Sequence, residues 1–132
     1  MEAAGRDRDG RSGTVLLVED SDVVRDVVAS MLRSGGLTVL EASGGEEALA
    51  LTRRGETPID LLLTDIVMPG MSGVELADLL GRERPDVRIL FMTGYAEDVV
   101  VNEGILGKHR ECIGKPFSQE RITTRVRKIL FP

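Results

Sequence analysis

A single α/β domain with a parallel sheet is what this 132-residue sequence predicts, on three observations. Short apolar runs alternate with segments of helical period, the pattern of repeated βα units. Aromatic residues make up 3% of the chain and tryptophan is absent, so the core falls to Val, Leu, Ile, Met and Ala, a set that suits α/β packing better than a β-sandwich. At 42% hydrophobic, the chain has the size of one domain with one buried core, and two full domains would not fit.

The elements follow in order. Residues 1–13 (MEAAGRDRDGRSG) are rich in Gly, Arg and Asp without apolar periodicity, which predicts a disordered tail or linker ahead of a domain spanning 14–131. The first strand is predicted at Thr14–Val18. Behind it, Val23, Val24, Val27, Val28, Met31 and Leu32 recur at helical spacing and mark one face of a first helix, with Ser21 as N-cap and Gly35 or Gly36 as the stop. A second strand at 38–41 leads into Ser43-Gly44-Gly45-Glu46, which has the spacing of a capping box and predicts a helix over about 44–54. The third strand is predicted at 59–64. Val74, Leu76, Ala77, Leu79 and Leu80 mark the next helix, ended by Pro85, and a fourth strand follows at 87–92. Strands three and four read as fully buried. A helix at 96–106 is weakened by the β-branched Val99, Val100 and Val101 and by Gly104. A short fifth strand at 112–113 precedes a last helix marked by Ile122, Val126, Ile129 and Leu130 and capped by Ser118.

The formal net charge of -5 argues against sequence-independent nucleic-acid binding, which needs a basic face, so partners are expected to be proteins or small ions. Cys112 is the one cysteine, excluding an intrachain disulfide and a thiolate zinc cluster. No uncharged apolar stretch is long enough to span a membrane, and no apolar leader follows Met1, so a cytoplasmic location is expected. Cys112, beside Ile113, is predicted to be a small buried hydrophobe. His109, between Lys108 and Arg110, is expected at the surface and not as a phosphorylated histidine.

Ligands of a parallel α/β sheet bind beyond the carboxyl ends of the strands, so the polar residues that end apolar runs are the ones to inspect. Glu19 and Asp20 follow VLLV, Asp65 follows DLLLT, Thr93 follows ILFM, and Lys115 follows ECIG. Carboxylates converging in one crevice repel one another unless a cation is present. Magnesium suits such a site, because it takes oxygen ligands and needs only one or two carboxylates besides waters and phosphate oxygens. Asp65 lies at the end of its strand before the Gly- and Pro-rich loop MPGMSG, where its carboxylate is open to an attackable phosphorus. Phosphoryl transfer mostly requires positioning and charge neutralisation. Lys115 offers an ammonium and Thr93 a hydroxyl for that purpose.

Four motifs, VLLVEDS, LLLTDIVMPGMSGVEL, FMTGY and GKPFS, occur in order. Across about residues 14–130 the chain thereby resembles the receiver domain of bacterial two-component systems, and most of all the receivers of hybrid sensor histidine kinases. The resemblance implies a flavodoxin-like, doubly wound sheet of five parallel strands in the order 2-1-3-4-5 with five helices. It assigns Asp65 as phosphoacceptor, Glu19 and Asp20 as the acidic metal pair, and the backbone carbonyl of Val67 as a further metal ligand. Thr93 becomes the switch hydroxyl and Lys115 the phosphate-binding lysine. Magnesium is the implied cofactor, with manganese as a substitute, and a cis peptide is implied between Lys115 and Pro116. The implied partners are a histidine kinase or histidine phosphotransfer domain and a downstream protein target. Self-phosphorylation and autodephosphorylation are the implied chemistry, without a separate enzymatic activity. Residues at the positions of Val67 and Tyr95 influence acyl phosphate hydrolysis in this family, and their bulk is expected to shield Asp65. One departure stands out: Cys112 occupies the place of a Tyr or Phe that turns inward on activation in many response regulators.

Two other classes compete with a signalling switch. Aspartate-dependent phosphohydrolases usually carry a second aspartate two residues after the nucleophile as acid/base, and Val67 stands there. A degenerate receiver acting only as a docking module is opposed by the presence of all five polar residues. Only Phe131 and Pro132 follow Leu130, so the output is expected to pass through another chain or another part of a longer protein.

Overall fold

Alternation of side chains along each strand decides which helix covers which face of the sheet. The computed structural model describes residues 13–55, 57–94 and 110–132. Its strands are β1 (Thr14–Val18), β2 (Thr38–Ala42), β3 (Leu61–Asp65), β4 (Arg88–Thr93) and β5 (Glu111–Gly114). All neighbours pair in parallel, in the order β2-β1-β3-β4-β5. Among the described residues there are four helices: α1 (Asp22–Ser34), α2 (Gly45–Arg54), α3 (Gly73–Glu83) and α4 (Gln119–Leu130). The predicted helix at 96–106, together with Tyr95, His109 and all of the predicted tail but Gly13, lies outside the described residues.

Val15, Leu17, Leu61, Leu63, Leu90, Met92 and Ile113 pack with Val28, Ala29 and Leu32 of α1 and with Ile122 and Val126 of α4. Leu16, Val18, Leu62, Phe91 and Cys112 pack with Ala48 and Leu49 of α2 and Leu76, Ala77 and Leu80 of α3. The sheet is therefore covered on both faces, as a doubly wound fold requires. Each fully buried Leu contributes about 2 kcal/mol of transfer free energy. No helix among the described residues is long and apolar enough to cross a membrane.

Helix α1 ends as its glycines predict. Gly36 adopts φ 86°, and the amides of Gly36 and Leu37 donate to the carbonyls of Arg33 and Leu32 at 3.0 and 3.1 Å, a left-handed cap that glycine makes without steric cost. Ser21 and Ser118 cap α1 and α4 as expected, accepting from the amides of Val24 and Arg121.

Several expectations need correction. The capping box is not at Ser43: Gly44 is the N-cap of α2 and makes no side-chain cap. Glu47, not Glu46, reaches back to accept from the Ser43 amide at 2.6 Å. A Cβ at Gly45 would meet the Met71 side chain, so the first turn of α2 packs closely against that methionine. A capping box does form at Ser72 and Glu75, at the start of α3. Val23 and Val27 do not belong to the buried face of α1; they are 74% and 48% exposed. Strand β3 is buried throughout, as is β1, but β4 begins with an exposed Arg88 and a half-buried Ile89.

Candidate functional site

Backbone ladders carry the polar residues to one edge of the sheet. Beyond β1, the Glu19 amide donates to the Ala42 carbonyl at 3.1 Å, extending the pairing with β2 by one residue. Asp65 ends β3 opposite Met92, and the Ile66 amide donates to the Met92 carbonyl at 3.2 Å. Past β5, the Lys115 amide donates to the Thr93 carbonyl at 2.7 Å. The Lys115–Pro116 peptide is cis. Behind Asp65, the Gly73 amide donates to the Ile66 carbonyl at 2.8 Å. A side chain at Gly73 would collide with the Asp65 carbonyl, so glycine lets α3 begin directly against that backbone.

The side chains of this edge meet. Lys115 Nζ lies 2.5 Å from Asp65 Oδ1 and 2.8 Å from Glu19 Oε1. Glu19 Oε2 accepts from the Ser21 amide at 3.0 Å. Glu19 and Asp65 are buried, whereas Asp20 is exposed. One carboxylate oxygen from each of the three acids lies within 4.8 Å of the others. This all-oxygen donor set fits a hard divalent cation. A crevice of about 480 Å³ opens over them, lined also by Ser21, Val24, Ile66, Val67, Met92, Thr93 and Gly94. Val67 stands 77% exposed, and Thr93 is buried at the end of β4.

Burial and proximity separate the two inner acids. Burial pushes the Asp65 carboxyl up, the hydrogen bond with Glu19 adds to this, and Lys115 only partly offsets them, leaving it at about 7. Burial also opposes ionisation of Glu19, but hydrogen bonds from Asp65, Lys115 and the Ser21 amide outweigh it and hold its carboxyl at about 2. Burial and their mutual proximity thus push the two carboxyls apart, Asp65 upward and Glu19 downward, so that without a cation Asp65 takes up a proton more readily than Glu19. Lys115 loses some basicity to burial, but its bonds to Asp65 and Glu19 raise it above the ordinary lysine value.

The structure thus brings together Glu19, Asp20, Asp65, Thr93 and Lys115, all five polar residues singled out from strand ends. Two contributors escaped sequence reasoning. The Ser21 amide holds Glu19 as well as the Ser21 hydroxyl capping α1. Arg25 Nη1 donates to the Glu19 carbonyl at 2.8 Å. Neither contact has a sequence signal, because both use main-chain atoms. Cys112 is buried, as expected, and lies beside Phe91 in the register of β4 and β5.

Fold and site define a flavodoxin-like domain with an acid and lysine crevice at its strand ends. The chain belongs to the response regulator receiver domain family, whose profile matches residues 15–127. It is 39% identical over 119 residues to the sensor kinase CckA of Brucella abortus, which covers 90% of this chain and 13% of the kinase. Over 116 residues it is 34% identical to the response regulator receiver protein CpdR of Brucella abortus, covering 88% of this chain and 95% of CpdR. The crystal structure of the receiver domain of hybrid histidine kinase CckA matches with a TM-score of 0.75 and 34% identity, over 89% of this chain and 99% of that one. The CheX-CheY-BeF3-Mg+2 complex from Borrelia burgdorferi gives 0.81 at 25% identity, over 97% of each chain.

Proposed function

We propose that this chain is a phosphoacceptor in a two-component phosphorelay, taking a phosphoryl group from a phosphohistidine onto Asp65 and changing conformation to signal to a partner protein. One observation carries the reading: Lys115 joins the buried Asp65 and Glu19 at the strand ends, with Asp20 exposed beside them. Glu19, Asp20, Asp65 and the Val67 carbonyl would hold magnesium, or manganese in its place. The bound ion supplies neutralising charge to the phosphoryl oxygens and to the carboxylates.

The roles of the chain's own groups follow from their positions. Asp65, once ionised, offers Oδ to phosphorus; the P–N bond of the donor breaks as the P–O bond forms, and the departing imidazole nitrogen takes up a proton. Lys115 is within reach of the phosphoryl oxygens after Asp65 gives up its ion pair. Thr93 donates its hydroxyl to another phosphoryl oxygen, and its movement toward phosphate is the conformational signal. Val23 and Val27 are exposed on α1, which begins directly after the acidic pair, and Val67 is exposed at the crevice. These apolar side chains form a surface for the phosphodonor. The protein works in the cytoplasm, where histidine kinases present their phosphohistidine.

The test is incubation with magnesium and acetyl phosphate, or with a phosphorylated histidine kinase, followed by intact mass. The parent gains one phosphoryl group and D65N gains none. An unlabelled parent would leave a receiver that only docks.

A further inference from the structure

We propose that Arg25 is a positioning residue for the acidic pair, acting through the main chain and not through its charge. Arg25 lies in the first turns of α1 with its side chain 16% exposed. Its Nη1 donates to the Glu19 carbonyl at 2.8 Å, its Nη2 to Asp22 Oδ1 at 2.6 Å, and its Nε stands 3.7 Å from Glu41 Oε1 on β2. The same Glu41 accepts from Arg33 at 3.1 Å. The guanidinium is therefore held from a helix and a strand while one arm reaches the strand-end loop.

The Glu19 carbonyl belongs to the planar peptide that joins Glu19 to Asp20. Fixing that plane fixes the position of the Asp20 Cα, the point from which its side chain leaves the backbone. Asp20 needs such support, because its own carboxylate makes no hydrogen bond among the described residues and is exposed. Glu19, by contrast, is secured at its amide by Ala42 and at its carboxylate by Lys115 and Ser21. Arg25 completes that set at the carbonyl. It keeps the Asp20 oxygen within 4.8 Å of those of Glu19 and Asp65.

This inference rests on the proposed cation site, and charge and positioning predict opposite signs. Removing a positive charge near a cation site favours the cation by Coulomb's law. Removing an outer support of the ligands weakens binding, typically by about 10- to 100-fold. Magnesium chloride titrated into the full chain, followed by amide NMR, reads the difference. R25M should bind magnesium about tenfold more weakly than the parent, while D22N and E41Q, which leave the bond to Glu19, stay within about threefold. In the absence of magnesium, the Asp20 amide resonance should move in R25M and not in D22N or E41Q. If R25M does not fold, R25K serves instead. A lysine keeps the charge but not the rigid planar guanidinium that reaches the Glu19 carbonyl, so R25K should also bind more weakly than the controls. Binding by R25M or R25K equal to or tighter than the parent's would overturn the proposal, as would equal weakening in D22N and E41Q. A parent that binds no magnesium overturns the proposed function itself.

Discussion

Lys115 Nζ bridges Asp65 Oδ1 and Glu19 Oε1, at 2.5 and 2.8 Å, so one ammonium balances two buried carboxyl groups. Removing it strands Glu19, which is 2% exposed. K115M is expected to lower the unfolding free energy by about 2 kcal/mol in magnesium-free buffer. In the K115M/E19Q double variant the loss should be smaller than the sum of the single losses, because the stranded charge has gone. Urea unfolding of the four proteins checks this, and strictly additive losses would speak against the bridge.

The same crevice predicts a pH dependence with a definite sign. Asp65 is raised from 3.8 to about 7 by burial and by Glu19, so its contribution to stability is full below the unfolded value and is lost as the pH rises through 7. Glu19 is lowered from 4.5 to about 2 despite its burial, by its hydrogen bonds to Asp65, Lys115 and Ser21. Its contribution is therefore full above 4.5 and is lost as the pH falls through 2. Between about pH 5 and 8 only the Asp65 share changes. The Tm of the metal-free parent, taken relative to D65N, should fall across that range. Magnesium should raise the parent's Tm more at pH 8 than at pH 5.5, because bound metal competes with the proton. A parent-minus-D65N difference that rises with pH would contradict the assignment.

Two serines that look alike in sequence should behave differently. Ser72 accepts from the Glu75 amide at 3.1 Å and its own amide donates to Glu75 Oε1 at 3.3 Å, whereas Ser43 makes no cap. S72A should cost about 1 kcal/mol in urea unfolding, and S43A less than about 0.5 kcal/mol. Equal losses would restore the capping box to α2.

The face of α1 can be tested in the same way. Leu32 is fully buried, and L32A should cost about 2–5 kcal/mol. Val27 is 48% exposed, and V27A should stay within about 0.5 kcal/mol of the parent. V27D should keep labelling by acetyl phosphate while slowing transfer from a phosphorylated kinase.

The sheet and its polar edge were legible because both depend on short-range patterns. Apolar runs of strand length identified β1 to β4, and the residues that end them, Asp65, Thr93 and Glu19, arrive at one edge once the strands are parallel. Lys115 was legible despite the brevity of β5, since Gly114 and Pro116 frame it. Ser43 misled because S-x-x-E states only spacing, and the helix begins one residue later than that spacing requires, with Gly44 as N-cap and Glu47 bonded to the Ser43 amide. Val23 and Val27 misled because six apolar positions cover more of a helix than the sheet can bury, and the spacing does not say which flank faces outward. Arg25 was invisible, because its acceptor is a carbonyl that every residue possesses. The neighbour of Cys112 was likewise hidden: the registry of β5 against β4, which sets it beside Phe91, follows from the fold and not from the local sequence.

The most direct measurement of the central claim is the site of phosphorylation. The chain is labelled with acetyl phosphate and magnesium, reduced with borohydride, which converts an aspartyl phosphate to homoserine, and digested for peptide sequencing. Homoserine at position 65 is the predicted result. Homoserine at another aspartate, or label retained on a histidine or serine, would contradict the account.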